Sequence, residues 1–264
     1  MARSPAPRTL LLQSGMAICL LLSQLSALAD QQSAPPPPVP NRNLSAKDLE
    51  DEGDLLRADK RYLDAIDFYK AATAKQPSAL LWNKQGMSYL LIQRYEDATK
   101  CFNKAIKLDK RNAAAYNNRG YMEYREKSYD KALHFYQKAV SLQPTDAVFR
   151  YNIGSAYFAM QDYNRAAQAF HAAYHLDPDI FNRVSKTGII AQTTSPENRG
   201  AFSFMIAKLY AQAGDLEHSI EYLRKAMEEG YKHIDKVYTE AEFASLREDK
   251  RFTELMAQKP QAIQ

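Results

Sequence analysis

Cysteine is scarce in this chain of 264 residues: there are two, Cys19 and Cys101. No disulfide framework can be built from them. If the first residues are removed as argued below, Cys101 stands alone, and a partly buried small side chain on a helix is the expected role. Charge of one sign is also lacking. Lys and Arg number 35 against 31 Asp and Glu, a formal +4, with both signs interspersed. That is a solvated mixed surface without the basic stripe a nucleic-acid reader needs. Catalytic signatures are missing too: no Gly-rich phosphate loop, no G-x-S-x-G and no H-E-x-x-H occurs. The five histidines are scattered. His171 and His175 share a helical face, but zinc asks for three or four ligands, so neither a metal nor a cofactor is expected. Acid pairs such as Glu228–Glu229 read as solvated helix faces.

What is present begins with a targeting segment. Arg3 and Arg8 precede the uncharged, largely apolar TLLLQSGMAICLLLSQLSALA, and Ala27-Leu28-Ala29 offers an A-x-A site just before Asp30. Residues 1–29 therefore read as a secretory signal, with an uncleaved membrane anchor as the alternative. No lipoprotein-type cysteine follows the run, and no Arg-Arg pair marks a twin-arginine signal. Residues 30–44, with four consecutive prolines in QQSAPPPPVPNRN, read as a semi-rigid linker.

From Ser45 a period takes over. Gly86, Gly120 and Gly154 recur every 34 residues, and Gly53 precedes Gly86 by 33. Glycine inside a helix costs about 1 kcal/mol against alanine, so its recurrence needs a reason. Nine residues after each glycine stands tyrosine: Tyr62, Tyr95, Tyr129, Tyr163. Twelve after stands alanine: Ala65, Ala98, Ala132, Ala166. Sixteen after comes an aromatic ring, Tyr69, Phe102, Tyr136 or Phe170, and nineteen after comes another alanine. Pro77, Pro144 and Pro178 close three of the four units, with Lys110 in the remaining place. The pattern predicts four pairs of antiparallel helices: 45–59 with 62–75, 79–92 with 95–108, 113–126 with 129–142, and 147–160 with 163–176. Small residues let the two axes approach, and the aromatics fill the space at either end. Ser45 and Asp48 form a capping box at the start.

The succession Trp82, Gly86, Tyr89, Tyr95, Ala98, Phe102, Ala105 resembles a tetratricopeptide repeat, and its counterparts extend the resemblance over residues 45–178. Leu56 and Glu123 stand where Tyr89 and Tyr157 sit in the other units. The resemblance implies an all-α fold, a right-handed superhelical solenoid of antiparallel helix pairs closed by a C-terminal helical cap. After Pro178 the period fails. Ala207 takes the next glycine place, 53 residues after Gly154, one period plus 19. Residues 179–200 are then an insertion or a degenerate repeat, and Gly188 could mark a first helix without a partner. A fifth unit is expected over 201–230. Residues 231–264 are expected to cap the stack with Phe243, Leu246, Phe252, Leu255 and Met256, opened by a second capping box of Thr239 and Glu242.

The resemblance implies an interaction module, not an enzyme, that holds an extended peptide or a helix of a protein partner in the concave groove lined by first helices. Candidates in the second unit are Asn83 and Met87, with Lys84 and Leu90 flanking. In the third they are Asn117, Asn118, Tyr121, Tyr124 and Arg125. In the fourth they are Tyr151, Asn152 and Ser155, with Phe158 beyond. Asn118 and Asn152 stand two before their glycines, where an amide can pair with a peptide backbone in either sense; pairing within the array is the alternative. Members that clamp an acidic C-terminus surround this place with lysine and arginine. Met87 and Tyr121 occupy groove places where a clamp would want polar residues; Lys84 and Arg125 are left as carboxylate partners, but the set is incomplete and neutral or aromatic ligands are expected. With the export signal, the expectation is a scaffold of the bacterial cell envelope, periplasmic or secreted, touching a membrane only if the signal stays uncleaved. The alternatives are an accessory subunit of an envelope machine and, last, an enzyme hidden in 179–264.

Overall fold

The computed structural model describes residues 38–41, 43–182 and 196–258. The chain divides into Met1–Pro40 and Asn41–Gln264, and the helices described here belong to the second. The expected signal, most of the linker and the neighbourhood of Gly188 lie outside the described residues. Among the described residues there is no strand, and no helix is long and apolar enough to cross a membrane.

Four helix pairs follow in order. They are α1 (Ala46–Ala58) with α2 (Tyr62–Lys75), α3 (Ala79–Leu91) with α4 (Tyr95–Leu108), α5 (Ala113–Arg125) with α6 (Tyr129–Leu142), and α7 (Ala147–Ala159) with α8 (Tyr163–Leu176). Each first helix starts on a side chain that accepts an early backbone N–H: Ser45, Ser78, Asn112 and Asp146. The Ser45–Asp48 capping box forms in both directions.

The recurring glycine has a direct explanation. A Cβ built on Gly53, Gly86, Gly120 or Gly154 would lie 2.6–2.7 Å from the ring of Tyr69, Phe102, Tyr136 or Phe170. The aromatic ring presses against the helix backbone where a side chain would start, not only at the ends of the contact. Ala65, Ala98, Ala132 and Ala166, with Ala72, Ala105, Ala139 and Ala173, are fully buried beside those rings. Close packing of this surface offsets the propensity lost at glycine.

The turn inside each pair repeats as well. Seven residues after each glycine, Lys60, Gln93, Lys127 and Gln161 adopt left-handed φ of 58–62°. The next N–H reaches back to a carbonyl in the last turn, Arg61 to Leu56, Arg94 to Tyr89, Ser128 to Glu123 and Asp162 to Tyr157. This is the Schellman ending, satisfied here without glycine.

Second helices pack on the following first helix, and first helices α3, α5 and α7 also touch one another. The stack therefore curls with the first helices on the inside.

A fifth pair, α9 (Pro196–Gln212) and α10 (Leu216–Glu228), repeats the geometry with other residues. Ala207 replaces the glycine and Leu223 the ring; both are fully buried. Ser219 stands in the alanine place and donates its hydroxyl to the Ala207 carbonyl at 2.8 Å. Helix α9 begins at Pro196, so 196–200 are helical and continuous with the first helix of the fifth pair. It leans only lightly on α8. Phe202 joins it to the fourth unit instead, with ring centroids 5.4 Å from Phe170, 5.7 Å from Phe158 and 6.5 Å from Tyr151.

Beyond α10 the chain makes 3-10 turns at Ile234–Tyr238 and Ala241–Phe243, then α11 (Ala244–Arg247) and α12 (Lys250–Gln258). Phe243, Leu246, Phe252 and Leu255 are buried in one cluster with α9 and α10. The expected capping box of Thr239 and Glu242 does not form. The Thr239 hydroxyl donates back to the Lys236 carbonyl, and Glu242 turns to Lys208 at 3.1 Å. A helix cap needs a helix to follow, and only a three-residue 3-10 turn starts here.

Candidate functional site: the inner wall of first helices

The inner wall is built from α1, α3, α5 and α7. Asn117, Asn118 and Asn152 are fully buried in it, and Asn83 is nearly so. Their amides face one another. Asn152 Nδ2 donates to Asn117 Oδ1 at 2.7 Å, and Asn118 Nδ2 donates to Asn83 Oδ1 at 2.9 Å. Asn117 and Asn118 themselves approach to 3.5 Å, and Asn83 Nδ2 lies 3.9 Å from the Met87 sulfur. A ladder of amides thus crosses α3, α5 and α7 beneath the surface. This revises the expectation for Asn83, Asn117, Asn118 and Asn152 as surface contacts to a peptide: they join neighbouring units. An amide buried without its partner costs about 1–3 kcal/mol, which the ladder avoids.

Tyr151 and Ser155 are buried too, with Tyr151 packed against the rings of Phe170, Phe181 and Phe202. They belong to the joint with the fifth pair more than to an open surface. Leu90 and Phe158 are likewise buried. Met87, Tyr121 and Tyr124 are partly exposed and Arg125 is exposed. These four form the reachable part of the predicted set.

The electrostatics of this wall are quiet. Lys84 is held by both Glu50 and Asp54 of the preceding unit. The Arg125 guanidinium lies 3.4 Å from the centre of the Tyr95 ring. Burial raises the Tyr121 phenol above its usual range and pushes Tyr124 up to about 12, with Tyr129 adding to the latter. Both stay neutral at ordinary pH. Beneath them the Tyr136 hydroxyl is fully buried without a hydrogen-bond partner, and burial holds its proton far above the normal range. In the first unit the equivalent Tyr69 hydroxyl donates to Asp54 at 2.7 Å and accepts from Arg57 at 3.3 Å. Tyr121 and Tyr124 occupy those two repeat positions in the third unit, one and four residues after the glycine. Carboxylate and guanidinium have given way to two phenols.

A family profile described as a tetratricopeptide repeat matches residues 83–147. A second, described as "Tetratricopeptide repeat protein 21 forth ARM domain", matches 124–260, just over half of the chain. The chain belongs to the tetratricopeptide repeat family. No curated protein matches it. Among solved structures it is similar to MamA, with 22% identity, TM-score 0.47 and coverage of 69% of this chain and 96% of that one. It is also similar to MamA from Desulfovibrio magneticus RS-1, at 20% identity, TM-score 0.48 and coverage of 69% and 93%. A third is YrrB, described as a TPR protein with an unusual peptide-binding site, at 20% identity, TM-score 0.46 and coverage of 72% and 89%.

The tetratricopeptide array ends in a feature that repeat reasoning missed. A cleft of about 1310 Å³ opens between α8, α9 and the segment after α10. Tyr163, Gln168 and His171 line one wall, Met205 and Lys208 the other, and Tyr231 stacks on Phe204 at 4.6 Å at its base. Lys208 spans to Glu240 and Glu242 at 3.0 and 3.1 Å. The signal for it was the broken period: a helix displaced from the regular stack leaves the side of α8 uncovered. Among the described residues no group of three or more His, Cys, Asp or Glu side chains converges to hold a metal ion. Cys101 is buried, and burial pushes its thiol up to about 12, an inert state.

Proposed function

We propose that this tetratricopeptide protein is a non-catalytic interaction scaffold of the bacterial cell envelope that holds a segment of a protein partner along the inner wall of first helices. The observation that carries the reading is the uncharged surface of Met87, Tyr121 and Tyr124 flanked by cations already engaged, Lys84 with two carboxylates and Arg125 with a tyrosine ring. Such a wall favours aromatic, aliphatic or amide-bearing segments over an acidic C-terminus. The amide ladder behind it keeps the wall stiff, so a partner meets a preformed surface and little ordering cost falls on the scaffold. The envelope assignment rests on the charged start, apolar run and A-x-A site of residues 1–29.

The test is affinity capture from bacterial envelope extract with residues 30–264 as bait, beside a bait carrying Tyr121→Ala and Tyr124→Ala. A partner retained by the first and lost by the second supports the groove. A second reading, an accessory subunit of an envelope assembly, is favoured by the cleft beside α8. It gains if the Tyr variant keeps its partner and Met205→Glu releases it.

A further inference from the structure

His171 and His175 stand one turn apart on α8, and both are exposed. Their rings are set edge to face, with centroids 4.2 Å apart at 77°, and the two Nε2 atoms meet at 3.2 Å. Helical spacing alone does not produce this; each ring must be rotated so that its outer nitrogen points at the other. A metal–imidazole bond of about 2.0–2.1 Å puts two nitrogens about 2.9 Å apart in a right-angled arrangement and about 3.4 Å apart in a tetrahedral one. The observed separation falls between the two. We propose that His171 and His175 form a chelating pair for a late first-row divalent cation, Cu²⁺ above Zn²⁺.

Imidazole nitrogen suits copper, nickel and zinc, and the general order of affinity places Cu²⁺ first. Magnesium prefers oxygen and retains its water shell, so it is rejected. Two protein ligands leave the other coordination positions to water. That distinguishes the pair from a closed structural site and agrees with the absence of a third converging side chain among the described residues. His171 also lines the cleft beside α9, so the pair stands at the edge of that cavity. The remaining described histidines differ: His218 is turned to Asp215 at 2.7 Å, His134 lies edge-on to Phe135, and His233, across the cleft, lies edge-on to Tyr231.

The experiment is calorimetric titration of the full chain with CuCl₂, ZnCl₂ and MgCl₂. One saturable Cu²⁺ site per chain is expected, a weaker Zn²⁺ site, and no Mg²⁺ binding. Because the second imidazole binds within the same molecule, His171→Ala and His175→Ala should each weaken Cu²⁺ by about tenfold or more. His134→Ala should leave it unchanged. Both ring positions are exposed, so the variants keep the fold, checked by an unaltered thermal melt without metal. Absence of saturable Cu²⁺ binding overturns the proposal, and so does equal affinity in the parent and both single variants.

Discussion

The first four pairs and the fifth solve one packing problem in two ways. In the array, a helix gives up its side chain so that a ring can lie on its backbone: Gly53 under Tyr69, Gly86 under Phe102, Gly120 under Tyr136, Gly154 under Phe170. In the fifth pair the helix keeps a methyl group, Ala207, and the opposing residue shrinks to Leu223. The turns exchange roles in the opposite sense. Lys60, Gln93, Lys127 and Gln161 hold the left-handed position in the array, and Gly214 holds it in the fifth pair at φ 79°. What the repeat conserves is thus volume and backbone shape, and glycine is only one way to supply either. The joints differ too: units of the array share helix faces, with Lys84 tied to Glu50 and Asp54 at the first joint and the amide ladder at the next two, while the fifth pair is held by rings, Phe202 among three and Tyr210 against Tyr174.

The sharpest way to break this comparison is at the joint. Phe202→Ala should cost about 2 kcal/mol, less than the loss of a fully buried aromatic because this ring is only partly buried. It should uncouple α9–α12 from the array, seen as a second, earlier step in thermal unfolding. A single cooperative transition at the parent midpoint would show that the ring cluster is not what joins them.

Next comes the exchange of packing solutions. Ala207→Gly alone should lose about 1 kcal/mol from helix propensity, with a further loss for the space it opens. Adding Leu223→Phe should fill that space with the array's own pair and recover part of the loss. A double-mutant cycle should give a coupling of about 1 kcal/mol in favour of the pair. Strict additivity would mean that the fifth pair does not share the array's geometry.

The turns predict a smaller effect. A non-glycine residue in the left-handed region costs about 1 kcal/mol, partly returned by the lower entropy of its unfolded chain. Gln93→Gly should therefore raise stability by a few tenths of a kcal/mol, and Gly214→Lys should lower it by a similar amount, both read from urea midpoints. Opposite signs at the two sites are the point of the experiment.

The smallest effect is electrostatic. Burial pushes the Glu242 carboxyl up, but hydrogen bonds from its own backbone and from Lys208 outweigh this and leave it below the usual glutamate range. A carboxyl lowered by folding stabilises fully above the unfolded value near 4.3 and loses that contribution as pH falls through the folded value. Glu242→Gln should narrow the fall in unfolding free energy between pH 7 and the acid range, read from urea midpoints, by under about 1 kcal/mol because the group is partly exposed. An unchanged slope would remove Lys208–Glu242 from the forces that close the cleft.

The eight helices of the array were legible to within a residue or so, because Gly, Ala and aromatic positions recur with fixed offsets and each has one steric meaning. The inner wall was half legible. Met87, Tyr121, Tyr124 and Arg125 are reachable, yet the asparagines beside them are not. A position two residues before the glycine lies where the wall meets the neighbouring unit, and a polar residue type does not tell which way its amide turns. The C-terminal end was least legible. Glu242 looked like a helix-capping residue, but Lys208 lies 34 residues away in sequence, and such a partner leaves no local trace.

The amide ladder also bears on how an array of this kind can change length. The third unit carries asparagines side by side, Asn118 facing backward to Asn83 and Asn117 facing forward to Asn152. It is a plug and a socket in one piece. A duplicate of this unit inserted next to itself would bring both halves of each new joint with it. Losing the fourth unit would take Asn152 from Asn117, and losing the second would take Asn83 from Asn118, while the first unit carries no asparagine at these places. Copying the middle unit therefore extends the ladder with matched amides at every new joint.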